Sequence, residues 1–210
     1  MISNYKIPGF LLVSLGGLFL STGGALFKLF ENQDVWTIYF WRSFFFTPAV
    51  LLFLFFTSKN QVIKKFKSLG LIGIICGALY ASGSGAYMFA MKYTTVANVL
   101  FIISTQTFML AIGGYFILKE KINISTAIAI IMASVGIYIM IGTKVSNGTM
   151  LGNSLAFVTP LCFTSIVMII RKYKQTDMVP AVALSGVICM VVGALLSKDL
   201  SLNTNDLFLA

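Results

Sequence analysis

The chain has 210 residues, of which 58% are hydrophobic and only 10% charged, against roughly 45–50% and 25% in an average soluble domain. So apolar a chain lacks the polar surface that keeps a domain dispersed in water, which excludes a soluble catalytic domain and makes lipid its solvent. The net charge of +9 does not mark a nucleic-acid binder: the lysines lie between apolar runs rather than along one helical face, and act as topology signals.

A hydrocarbon core of about 30 Å needs about 20 apolar residues of helix. Seven stretches are predicted to span it: residues 9–28, 36–57, 69–91, 96–118, 124–141, 150–170 and 179–197. The first follows Lys6 and ends in Ser21-Thr22-Gly23-Gly24-Ala25, which resembles a signal peptide, but six more spans follow and favour an uncleaved helix. With the amino terminus in the cytoplasm, that side holds ten cations: Lys6, Lys59, Lys64, Lys65, Lys67, Lys119, Lys121, Arg171, Lys172 and Lys174. The other side holds four: Lys28, Lys92, Lys144 and Lys198. The excess predicts a cytoplasmic amino terminus in an inner membrane.

The prolines suit helices in these places. Pro8 and Pro180 sit at helix starts, where a missing amide hydrogen costs nothing. Pro48 and Pro160 fall inside spans, where each frees a carbonyl that only neighbouring helices or polar groups can satisfy. In the third span Gly73, Gly77, Ala81 and Gly85 recur every four residues, and Gly16, Gly17, Gly23 and Gly24 mark the first. Such stripes predict close helix packing rather than a substrate.

Polar stripes carry more information because lipid penalises them. Tyr80, Ser84 and Tyr87 share a face of the third span, Asn98, Thr105 and Gln106 an arc of the fourth, and Thr164 and Ser165 lie a turn beyond Pro160. Singly they read as interhelical hydrogen bonds; together they make a polar cavity, for which Tyr80, Tyr87, Asn98, Gln106 and Ser165 are the candidate linings. The run YFWRSFFF from Tyr39 to Phe46 places Arg42 about 9 Å inside its span. A buried arginine costs about 2.5–3.5 kcal/mol, less when it snorkels. Three readings stay open: a tie to neighbouring carbonyls, a topology anchor, or recognition of a carboxylate or other anion, with Tyr39, Phe45 and Phe46 on its face for cation–π contact. Arg42 joins the candidate substrate-binding residues.

Absences narrow the chemistry. Histidine is missing, and the acids Glu31, Asp34, Glu120, Asp177, Asp199 and Asp206 all avoid the middle of spans. No carboxylate relay, Walker motif, HExxH or GxSxG is present, so catalytic, metal and cofactor roles have no visible residues. Cys76, Cys162 and Cys189 lie in apolar runs without CxxC spacing and are expected to be small hydrophobes.

WRSFF in the second span, AMKYTTVANVLFI across the third and fourth, LKEKI after the fourth and ASVGIYIMIG ending the fifth resemble the EamA-type branch of the drug/metabolite transporter superfamily. The resemblance implies an all-α, polytopic transmembrane helix bundle of ten spans, built as two inverted five-helix repeats. Arg42 and Glu120 fall where that pattern commonly has Arg and Glu. Gln106, in TQTFML, stands where relatives usually carry a proline, which puts the usual kink in doubt. At an offset of 143 residues Gly9 falls on Gly152, Leu12 on Leu155, Lys28 on Arg171 and Asp34 on Asp177, while Arg42 falls on Ser185.

The expected organisation is therefore a first repeat over residues 1–143 and an incomplete second over 144–210, about three helices short, as in a fragment unable to transport alone. The expected function is an inner-membrane permease that exports a small metabolite, such as an amino acid, by alternating access. Its partners would be that metabolite and membrane lipid, not nucleic acid, with self-association as a homodimer left open. The rival classes are a non-transporting scaffold or receptor, whose polar faces would fill one another, and a membrane-embedded enzyme.

Overall fold

The computed structural model describes residues 10–11, 14–18, 26–27, 29–30, 34–58, 61–121, 123–142, 149–173, 178–201 and 206. Among them are eight helices and no strand. They are α1 (Val35–Ser58), α2 (Val62–Ser68), α3 (Gly70–Tyr93), α4 (Val96–Ser104), α5 (Gln106–Leu118), α6 (Ile124–Gly142), α7 (Met150–Lys172) and α8 (Val179–Leu196). Five segments are long and apolar enough to cross a membrane: α1, α3, α4 with α5, α7 and α8. The seven expected spans thus become five among the described residues. The first lies largely outside them, and the apolar part of α6 that can be described, Ile124–Gly136, is shorter than a span.

The expected fourth span is continuous in position but broken in hydrogen bonding. At Thr105 the backbone amide donates to Ile102 O at 3.1 Å, a tighter turn than α-helix, and the Thr105 hydroxyl also donates to Ile102 O at 2.6 Å. A break therefore stands beside Gln106 without proline, because a threonine hydroxyl near its own preceding turn competes for the carbonyls that would continue the helix. At the far end of α5, Lys119 takes the left-handed conformation (φ 55°) and Glu120 N donates to Gly114 O, closing the helix as a glycine usually does.

The helices alternate in direction. Tyr80 packs on Phe163 and Tyr93 meets Thr149, so α3 and α7 are antiparallel. Thr37 meets Ser197 while Thr47 meets Gly186, so α1 and α8 are antiparallel as well. Small residues of α3 lie in its seams with α8 and α1: a Cβ at Gly77 would sit 3.3 Å from Ala181 O, and one at Gly85 3.6 Å from the Tyr39 hydroxyl, whereas one at Gly73 would first meet Leu69, just before α3. No described atom comes within 4 Å of a Cβ built at Gly16 or Gly17, so among the described residues that stripe meets no neighbour.

Alternation collects charge by end. The end holding Ser58, Gly70, Leu118 and Arg171 carries Lys64, Lys65, Lys67, Lys119, Lys121, Arg171 and Lys172 among the described residues, and the opposite end carries Lys92 and Lys198. Glu120 on the basic end pairs with Arg171, tying the loop after α5 to the end of α7; both are well exposed, where such a pair adds roughly 0–1 kcal/mol. At the other end the segment after α8 is laced to α1. The Trp41 indole donates to Leu200 O at 2.9 Å and the Thr37 hydroxyl to Asp199 O at 2.8 Å. The Asp199 carboxylate accepts from the Ser201 amide and hydroxyl, which hold its pKa below the ordinary value. The cysteines are free; Cys76 and Cys189 are buried.

Candidate functional site

On α1 the positions Tyr39, Arg42, Ser43 and Phe46 follow at intervals that bring them onto one helical face. That face turns towards Ser185, Gly186 and Cys189 of α8 and Tyr80 and Ser84 of α3, and the nine residues line a partly open cavity of about 50 Å³. This is room for a few water molecules or one small polar group.

The walls are fixed by hydrogen bonds that use up most of the available protons. The Tyr39 hydroxyl, in a buried residue, donates to Ala81 O at 2.6 Å, with Cys189 Sγ 2.9 Å away. Ser43 Oγ donates to Tyr39 O at 2.7 Å and Ser185 Oγ to Val182 O at 2.6 Å. Each serine thus satisfies a carbonyl of its own helix and keeps only acceptor capacity for the cavity. Arg42 is the exception. No carbonyl or carboxylate among the described residues accepts from it. The carbonyl tie that was one reading of this residue is thus not made to any described residue. Phe45, expected to share its face, instead packs on Trp41 and Phe44 and is exposed.

Arg42 is itself exposed while it lines the cavity, and a guanidinium, with five donors and no described acceptor, has the chemistry to pair with a charge of opposite sign. No group of three or more His, Cys, Asp or Glu able to hold a metal occurs among the described residues.

The remaining candidates scatter. Tyr80 is half-buried and lines the cavity, its ring edge-on to Phe163 at 5.2 Å. Tyr87, on the same helix, is half-buried against the two hydrophobic clusters around Met88 and Met91. Asn98 is buried in a network of its own: its amide nitrogen donates to Thr94 Oγ1 at 3.1 Å, whose hydroxyl donates to Asn153 Oδ1 at 2.8 Å. Gln106 is half-buried at the start of α5, outside the cavity lining. Ser165 is exposed in a groove with Ile72, Ile117 and Lys172, its hydroxyl donating to Leu161 O at 2.8 Å.

Ser43, Phe46, Ser185, Gly186 and Cys189 were missed as cavity residues, although a signal existed. At the 143-residue offset Arg42, Ser43 and Phe46 fall on Ser185, Gly186 and Cys189, and all six line this one cavity.

The EamA-like transporter family profile matches residues 7–142, more than half of the chain. The chain belongs to the EamA-like transporter family. It is an integral membrane protein of a transporter family. It is also 26% identical over 168 residues to an uncharacterized transporter of Clostridium kluyveri, an alignment covering 77% of this chain and 53% of that protein. This EamA-like chain thus spans about half the length of the curated relative it matches. No solved structure matches it.

Proposed function

We propose that the protein is a secondary transporter that moves a small metabolite bearing a carboxylate or similar anionic group, with Arg42 as the anion contact and Tyr80 beside it. The observation that carries this reading is that Arg42, an exposed side chain, lines a cavity between three helices and donates to no group among the described residues. A scaffold would have polar groups that satisfy one another, as Thr94, Asn98 and Asn153 do; Arg42 does not. Repeat-equivalent positions of α1 and α8 facing across one cavity support two inverted repeats, residues 1–143 and the start of a second from 144, and hence alternating access about that cavity. Export and a plasma-membrane location complete the proposal by analogy with the family. Cells expressing the protein with its second repeat complete should efflux labelled monocarboxylates or amino acids faster than control cells. Equal rates across a panel of anionic, zwitterionic and neutral metabolites would remove the reading.

The amino terminus is proposed to be cytoplasmic, because the basic end then faces inward. A cysteine replacing exposed Lys67 of α2, in a background without the three native cysteines, should resist an impermeant maleimide in intact cells and react in inverted vesicles. The opposite pattern would reverse the topology.

A further inference from the structure

Tyr80 belongs to two cavities. On one side of it lies the polar cavity of Arg42; on the other a larger one, about 220 Å³, opens between α3, α7 and α8 and is walled by Cys76, Ile166, Ile170, Met178 and Val182. The two occupy successive turns of one seam. On α3 the lining passes from Ser84 through Tyr80 to Cys76, and on α8 from Ser185 to Val182, while Gly77 packs against Ala181 to hold the helices side by side. Along α3 one helical turn rises about 5.4 Å, and Tyr80 is the one residue that lines both cavities.

Their chemistries differ. The Arg42 cavity offers an unspent cation and serine oxygens. The second offers almost only hydrocarbon, a thiol and the edge of a phenol. A hydroxylated or doubly charged group placed there would lose its water without finding partners, whereas an apolar group would fill it: apolar cavities of about 150 Å³ already hold benzene.

Resting on the anion reading of Arg42, we propose that the apolar cavity beyond Tyr80 is a second subsite, so that the protein selects monocarboxylates with an apolar arm of phenyl size over short acids, dicarboxylates and sugars. The carboxylate sits on Arg42, two or three methylenes pass Tyr80, and the ring or branched alkyl end occupies the space between α7 and α8. Tyr80 thereby becomes the residue that sets the distance between charge and apolar end.

The test is equilibrium binding to the full chain in lipid nanodiscs, titrated separately with 3-phenylpropionate, propionate and the uncharged 3-phenylpropanol. 3-Phenylpropionate should bind at least about tenfold tighter than propionate, a factor within what burying an aromatic ring supplies. Filling the cavity from either wall, by Val182→Phe on α8 or Ile170→Trp on the partly exposed face of α7, should bring that ratio towards one. Either variant suffices if the other fails to fold. A wild-type ratio below about twofold, or a ratio that survives both substitutions, overturns the subsite and leaves the Arg42 reading standing. Failure of both acids to bind, with or without binding of the alcohol, overturns both.

Discussion

Arg42→Gln should lower transport of anionic metabolites by roughly 10–100-fold while leaving the amount of protein in the membrane unchanged or slightly raised. The loss follows from charge-assisted hydrogen bonds, each worth about 1.5–3 kcal/mol, with about 1.4 kcal/mol for every factor of ten. The unchanged abundance follows from the structure: no described carbonyl or carboxylate accepts from Arg42, so its removal strands no buried partner, and lipid no longer has to accommodate a charge. Arg42→Lys keeps the charge but not the planar fork, and should recover only part of the rate if the anion is held through two oxygens. Transport and abundance measured on the same cells decide the matter; parallel loss of both would make Arg42 a structural residue.

Gly193→Ala should destabilise the α1–α8 seam by roughly 1–3 kcal/mol, as overpacking in a tight interior does. The added methyl would lie 2.9 Å from Phe40 N and 3.0 Å from its Cα, so the obstacle is the backbone of α1, which cannot rotate aside. At Gly186 the obstacle is the Thr47 side chain, whose hydroxyl bonds Ser43 O, and a rotamer change relieves it at the cost of that bond. The chain has two tryptophans, Trp36 and Trp41, both on α1, and Trp41 donates to Leu200 O beyond α8. Tryptophan fluorescence during thermal unfolding therefore reports this seam. Gly136→Ala, whose methyl would meet only the Phe101 ring at 3.6 Å, is the control and should not lower the melting temperature. A Gly193→Ala protein that melts like Gly136→Ala would mean that α1 and α8 do not approach as described.

The all-helical, membrane-spanning class was legible because span formation is a local property: about 20 apolar residues suffice whatever lies beside them. Arg42 was legible for the same reason, since a charge within a run of aromatic residues stands out without knowledge of its neighbours. Of the stripe Gly73, Gly77, Ala81 and Gly85, Gly77 and Gly85 meet neighbouring helices as small residues at helical spacing do, while Gly73 first meets Leu69.

Which polar residues share a cavity was decided only by tertiary structure. Asn98 and Tyr80 look equally eligible as letters, yet Asn98 is used up by Thr94 and Asn153 while Tyr80 stands between two open spaces. Ser185, Gly186 and Cys189 gave little reason for notice until α8 was laid antiparallel to α1. In a soluble helix the polar face points to water and the apolar face to the core, so the pattern reveals the direction of packing. In lipid the outside is as apolar as the inside, both faces carry the same kinds of residue, and the contact partner of each helix is set by shape and by the few polar groups that need one another.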